Sequence, residues 1–304
     1  MHKLKAFLKT WYYRFKLREP RIPKQVWIEN TNFCNAHCVM CPRTSLTRPL
    51  SIMSVEAFQK IIRDIAPYAH QVERLHVHNF GEPLLDKEIV RKIRIAKDHG
   101  FPYVYFVTNA SVLTAQKARD IIESGLDEFK VSFYGTNPQT YNATMAGLDF
   151  DITIQNLKTF FKIRKELNSQ KPKVVIQYIP QETNKMLTGE FKLLFKGLLD
   201  FQLGDTLTIG VLHNYGSGKN FVNVKGRPCA ICAFPWAVMM ILCDSRVGFC
   251  CFDFDGVQII GNAQEESAID IWNSKRMSGI RRDFKNLDYR KYPVCLRCQG
   301  SHWL

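Results

Sequence analysis

Ten cysteines in a chain of 304 residues are the side chains best suited to unusual chemistry, and their spacing decides which chemistry. Three of them fall in one short stretch, Cys34-Asn35-Ala36-His37-Cys38-Val39-Met40-Cys41. Three thiolates in one loop can hold three irons of a cubane and leave the fourth iron open to a small molecule, which a site closed by four cysteines cannot do. A zinc ion completed by a distant ligand, or by His37, is the competing reading. The other seven lie far along the chain, at Cys229, Cys232, Cys243, Cys250, Cys251, Cys295 and Cys298. Spacing alone would make Cys229-x2-Cys232 and Cys295-x2-Cys298 a zinc ribbon; beside an iron site, a second iron-sulfur cluster competes with it.

Elements must hold these residues in place. Short apolar runs at Val26–Glu29, Arg74–His78, Tyr103–Thr108, Glu128–Phe133, Val174–Ile179 and Thr206–Leu212 read as strands. Between them, helical patterns span Ser54–Tyr68, Lys87–His99, Thr114–Ser124, Ile152–Leu167 and Lys185–Phe201, with caps at Ser54 and Thr114 and stops at Gly100 and Gly125. The alternation implies a parallel sheet that right-handed crossovers curl into a partial (β/α)6 TIM-like barrel. Reactive groups sit at the C-terminal ends of barrel strands, and Cys34 follows directly on the first strand. At Gly216-Ser217-Gly218-Lys219-Asn220 the composition turns to that of a linker. Three regions are expected: a basic amphipathic extension over 1–24, the barrel over 25–215, and a small cysteine-rich C-terminal domain over 216–304 that needs metal for its stability.

The net charge of +14 is concentrated at the two ends. Residues 1–25 hold eight Lys or Arg against Glu19, and residues 275–304 hold eight against Asp283 and Asp288. The middle is nearly neutral, so no nucleic-acid groove is implied. Met1 to Glu19 is too charged for a signal peptide, and the apolar run Phe234–Cys243 is about half the length of a membrane span. A cytoplasmic protein is expected, where ten cysteines are metal ligands more readily than disulfides. Leu4, Phe7, Leu8, Trp11 and Phe15 recur at helical spacing among Lys3, Lys5, Lys9, Arg14, Lys16 and Arg18. Such a helix over residues 1–19 either touches an anionic inner membrane face peripherally or packs on the barrel.

The CxxxCxxC spacing of Cys34, Cys38 and Cys41 resembles the signature of the radical S-adenosylmethionine superfamily. Further fragments follow at successive strand ends. Gly81-Glu82-Pro83 resembles the family's GGEP segment with Phe80 in place of its first glycine, Thr108-Asn109 its TN element, and Ser132-Phe133-Tyr134-Gly135 a segment whose Ser approaches the cosubstrate. The resemblance covers about residues 25–215. It implies a 4Fe-4S cluster whose open iron takes S-adenosylmethionine, seated by Met40, Gly81, Glu82, Pro83, Thr108, Asn109 and Ser132, with Glu82 and its backbone at the methionine ammonium. It also implies a one-electron donor such as flavodoxin or ferredoxin.

The tail is similar to the SPASM or twitch module of carbohydrate-modifying members, through Cys232-Ala-Phe-Pro-Trp236, Val247–Asp253, Gly261-Asn262, Ile271–Ser274 and Cys295-Leu-Arg-Cys298. That likeness implies an auxiliary 4Fe-4S cluster on Cys232, Cys250, Cys295 and Cys298, with Cys229 or Cys251 as alternatives within each close pair. A free Cys251 would be a candidate hydrogen donor. The expected activity is hydrogen abstraction from a sugar, cyclitol or sugar conjugate leading to dehydrogenation; epimerisation and peptide modification are the alternatives, and a metal-binding interaction module the non-enzymatic one. Gln177, His213, Asn214 and Asp253 are candidate substrate-lining residues.

Overall fold

A computed structural model describes residue 12 and residues 15–181, 188–215 and 231–298. Six parallel strands carry the first part: β1 (Gln25–Ile28), β2 (Arg74–His76), β3 (Val104–Thr108), β4 (Glu128–Ser132), β5 (Lys173–Tyr178) and β6 (Thr206–Ile209). All six expected strands are present, each within a few residues of its predicted bounds. Helices begin where the caps predicted: Ser54 Oγ accepts from the Ala57 amide and Thr114 Oγ1 from that of Lys117. The helix expected over Lys185–Phe201 runs only over Thr188–Leu194 among the described residues, and Lys185 lies outside them. Gly197, at φ +82°, takes a left-handed turn that a helix cannot contain.

One parity of the strands faces the helices and is apolar along most of its length. Val26, Ile28, Leu75, Val77, Phe106, Phe129, Val131 and Ile176 are all essentially inaccessible to solvent. The other parity faces inward and differs in kind: Trp27, His76, Tyr105, Lys130 and Gln177. Barrel interiors are ordinarily packed with Val, Ile and Leu; this one is lined with rings and polar groups that frame a cavity.

The sheet does not stop at residue 215. A seventh strand, β7 (Val238–Ile241), pairs parallel with β1 from Gln25↔Val238 to Ile28↔Ile241, and β8 (Arg246–Gly248) and β9 (Ile259–Asn262) continue it antiparallel. The result is an open nine-stranded sheet in the order β6-β5-β4-β3-β2-β1-β7-β8-β9. The apolar run Phe234–Cys243 is therefore a short helical turn followed by a strand buried on both faces, which is why its hydrophobicity does not alternate.

Buried charge ties the tail to the barrel. Glu29, at the end of β1, meets Arg48 at 2.6 Å and accepts from the Cys243 amide at 3.2 Å, while Arg48 donates to the Phe254 carbonyl at 2.9 Å and to Cys243 Sγ at 3.4 Å. Cys243 thus packs in this clip. Among the described residues no helix is long and apolar enough to cross a membrane. Residues 1–11, which carry most of the expected amphipathic face, and the stretch Gly216–Asn220 lie outside the described residues.

Candidate active site and second cysteine pocket

The three loop cysteines stand over the C-terminal ends of the strands, held there by bonds between the fragments that the sequence had suggested separately. Glu82 takes the Thr108 hydroxyl on one carboxylate oxygen at 2.6 Å and the Asn109 amide on the other at 2.7 Å. Its first oxygen also accepts from the Leu84 amide at 3.0 Å. Asn109 Nδ2 then donates to Asn35 Oδ1 at 3.0 Å, inside the cysteine loop. Further along, the His37 and Val39 amides donate to the carbonyls of Ala146 and Thr144 at 2.7 and 3.1 Å.

Gly81 lets these loops close. A Cβ built there would stand 2.1 Å from the Thr31 carbonyl oxygen and 2.8 Å from that of Phe33, both backbone atoms. The sequence expectation put the Glu82 side chain on the cosubstrate ammonium. In the structure both of its oxygens accept bonds that join the loops, and Glu82 also lines the cavity beneath the cysteines. Burial raises the Glu82 carboxyl above the ordinary carboxylate range, against the three donors that lower it.

Cys34, Cys38 and Cys41 line a cavity of about 1330 Å³, counted with its mouth, whose wall also includes Met40, Gly81, Glu82, Thr108, Asn109 and Ser132. Pro83 is not in that wall; it starts a tight turn over Pro83–Leu85. Gln177 and His213 line the cavity as expected. Asn214 and Asp253 do not: the first donates to the Arg297 carbonyl at 2.7 Å, and the second accepts from the Val257 and Gln258 amides. Sequence reasoning missed Trp27, His78, Tyr105 and Lys130, all in the wall. Their signal was present as inward parity, since Lys130 shares the parity of Ser132 on β4 and Tyr105 lies opposite His76.

A second cavity, of about 420 Å³, is lined by Cys232, Cys250, Cys295 and Cys298 together with Phe234, Phe249, Phe252, Phe284, Tyr289 and Val294. Cys229 lies outside the described residues. Cys250 and Cys251 are adjacent in the chain but part company: Cys250 lines this pocket and Cys251 the first cavity. Among the described residues no group of three or more His, Cys, Asp or Glu converges on a point suited to a single ion; the four thiols ring a space instead.

Both sets of thiols fit a cationic cluster. Burial, then the neighbouring thiols, pushes Cys38 up to about 12, and burial pushes Cys34 to about 11 and Cys232 to about 12. Cys250 is also raised well above the ordinary thiol range, by burial and then by Cys251, Cys295 and Cys232. Rings surround the second set and offer no positive charge, so thiolates there need metal to be stable.

Comparison with known proteins agrees with this geometry. Residues 28–187 match the model of the Radical SAM superfamily, and residues 232–299 match SPASM, described as an iron-sulfur cluster-binding domain. A tungsten-containing aldehyde ferredoxin oxidoreductase cofactor-modifying protein of Pyrococcus furiosus is 24% identical, over 90% of this chain and 87% of its own. A PqqA peptide cyclase of Bradyrhizobium diazoefficiens is 28% identical over 38% of this chain and 29% of its own. Among solved structures, BtrN in complex with AdoMet and 2-DOIA superposes with a TM-score of 0.65 at 17% identity, covering 93% of this chain and 95% of that one. SuiB of Streptococcus suis bound to the precursor peptide SuiA gives 0.69 at 13% identity, over 92% and 71%.

An open α/β barrel with a three-cysteine loop at its mouth and an iron-sulfur module behind it defines an iron-sulfur enzyme. This chain belongs to the radical SAM superfamily and carries a SPASM domain. Its cofactors are S-adenosylmethionine and 4Fe-4S clusters, and it takes electrons from a reductant.

Proposed function

We propose that the chain abstracts a hydrogen atom from a small polar substrate, a sugar, cyclitol or sugar conjugate, and that the product is dehydrogenated. The observation that carries this reading is the shared cavity: the three-cysteine loop stands at one end, and a polar wall of Lys130, Gln177 and His78 lies below it. Bound on Cys34, Cys38 and Cys41, a 4Fe-4S cluster would supply one-electron cleavage of S-adenosylmethionine, and one on Cys232, Cys250, Cys295 and Cys298 would supply a place for the second electron, the remaining hydrogen leaving the substrate as a proton. The remaining work falls to the chain. Glu82 and Asn109 hold the cysteine loop against the strand ends, the rings of Tyr134 and Tyr215 help exclude water, and the inward polar residues orient the substrate carbon. The fold is similar to that of BtrN, whose complex holds AdoMet and 2-DOIA.

Epimerisation is a second reading, favoured by Cys251. This thiol is 5% exposed, lines the same cavity, and is raised far above the ordinary thiol range by burial, so it keeps the S–H that a hydrogen donor needs. The PqqA cyclases among the partial relatives and the fold likeness to SuiB keep a peptide substrate as the third.

Turnover in D₂O against a panel of sugars, cyclitols and short peptides tests all three. A product two hydrogens lighter with no solvent deuterium supports dehydrogenation. A product of the substrate's own formula with one hydrogen replaced by deuterium, lost in Cys251→Ala, replaces it with epimerisation, and a modified peptide replaces both.

A further inference from the structure

The end of the cavity away from the cysteine loop has a composition that holding S-adenosylmethionine does not require. Trp27 from β1, His78 just beyond β2, Tyr105 from β3 and Lys130 from β4 form this floor. The rings are in contact: Trp27 and His78 lie 5.0 Å apart between centroids, and His78 and Tyr105 5.6 Å.

Three features of the floor point to a ligand. His78 is 3% exposed and its Nδ1 has no hydrogen-bond partner, and Trp27 Nε1 is buried without one. Lys130 makes no hydrogen bond or ion pair among the described residues. The nearby carboxylate, Glu128, accepts from the Tyr103 hydroxyl at 2.7 Å, and Arg74 lies over the rings of Tyr103 and Tyr105 at 5.4 and 5.9 Å, adding positive charge below the floor. A half-buried ammonium with no partner costs stability, and unmade hydrogen bonds on buried ring nitrogens add to that cost.

We propose that this floor binds an oxyanion of the substrate, a phosphate or a carboxylate, with Lys130 as its counter-ion and the Trp27 ring N–H as a neutral donor. The proposal rests on the radical SAM reading of the same cavity and narrows its substrate class to anionic compounds. Physically, it gives the cavity two fixed ends. The cosubstrate occupies the cysteine end, the oxyanion pins the other, and the carbons between are held at a set distance from the reacting centre. A charged contact at the floor also selects against neutral molecules of equal size, because they would leave Lys130 desolvated and unpaired.

The test uses the anoxically reconstituted full chain saturated with S-adenosylmethionine, titrated calorimetrically with glycerol 3-phosphate, glycerate and glycerol. At least one of the two anions should bind about tenfold or more tightly than glycerol, the size of a charge-assisted hydrogen bond. The better anion identifies phosphate or carboxylate as the native group. Lys130→Met should abolish the preference while Lys130→Arg keeps it, both with binding of S-adenosylmethionine intact. Equal weak binding of all three compounds by the unmodified chain overturns the proposal, and so does an unchanged preference in Lys130→Met. Cleavage of S-adenosylmethionine under dithionite, measured on the same preparation, reads the radical assignment separately: cleavage without anion preference sinks only the floor, whereas anion preference without cleavage sinks the reaction.

Discussion

The two cysteine-lined cavities differ in what surrounds the thiols. Around Cys34, Cys38 and Cys41 the wall is mixed, with Asn109, Ser132, Gln177 and Lys130 beside Met40 and Tyr134. Around Cys232, Cys250, Cys295 and Cys298 it is made of Phe234, Phe249, Phe252, Phe284, Tyr289 and Val294. The first surroundings can receive a charged cosubstrate and a polar substrate; the second can only enclose. Three thiols with polar neighbours suit an open iron where molecules must arrive, and four thiols enclosed by rings suit a closed cluster where none do. The change of side between Cys250 and Cys251 is where the two meet.

Removing the first set should have the largest effect. With Cys34, Cys38 and Cys41 all changed to Ala, cleavage of S-adenosylmethionine should fall to background, while about four irons and no zinc stay in the tail after anoxic reconstitution. Zinc in that variant, or no metal, would break the comparison, because the ringed pocket would then hold no cubane.

The second experiment works on the shared boundary. Cys250→Ala should lose about four irons per chain, and Cys251→Ala none, since only the former lines the ringed pocket. Equal losses would mean that the adjacent thiols exchange roles and that the two cavities are not chemically separate.

Next in size is the clip that fixes the cavities relative to one another. Glu29 and Arg48 have side chains 0% and 3% exposed, so Arg48→Met leaves a buried carboxylate uncompensated and should cost about 3–5 kcal/mol in urea unfolding of the reconstituted chain. The double variant Glu29→Gln with Arg48→Met should lose less than the sum of its parts. Additive losses would show that the pair is solvated and that tail and barrel are joined elsewhere. Gly81→Ala acts within the first site alone. Its new Cβ meets the Thr31 carbonyl, and about 1–3 kcal/mol of stability should go, with weaker binding of S-adenosylmethionine and unchanged iron in the tail.

Much of this was legible in the sequence because it is local. The CxxxCxxC spacing, the caps at Ser54 and Thr114 and the six alternating strands are all set by residues close in the chain. So were the fragments at Glu82, Thr108 and Asn109, although not the bonds that unite them, which span 26 and 27 residues. Pairing of β7 with β1 was not legible: Val26 and Met239 are brought together by topology, and a strand buried on both faces carries no alternation to betray it. The cavity floor was missed for a different reason. Inward parity marks Tyr105 and Lys130 only once the strands' registers are known, and a Lys on a strand reads as a solvated residue until the barrel closes around it.

The smallest predicted effect bears on that floor. Burial, with the Lys130 ammonium second, lowers the His78 imidazole from 6.5 to about 3. A histidine lowered in the folded state binds its proton more readily when unfolded, so its contribution is fully present above pH 6.5 and is lost as pH falls from there towards about 3. The slope reaches at most about 1.4 kcal/mol per pH unit. Between pH 6.5 and about 5, the unmodified chain should therefore lose more thermal stability than His78→Gln, which has no proton to gain. His76 is lowered as well, by burial first and then by His78, and it is retained in both proteins, so most of the difference reports on His78. Glycerol 3-phosphate at saturation should shrink that difference, because an anion beside Lys130 removes part of the repulsion that keeps His78 neutral. Parallel loss of stability in the two proteins would mean that water reaches His78 freely, and the floor would then resemble the solvent-facing mouth of the cavity more than a desolvated binding site.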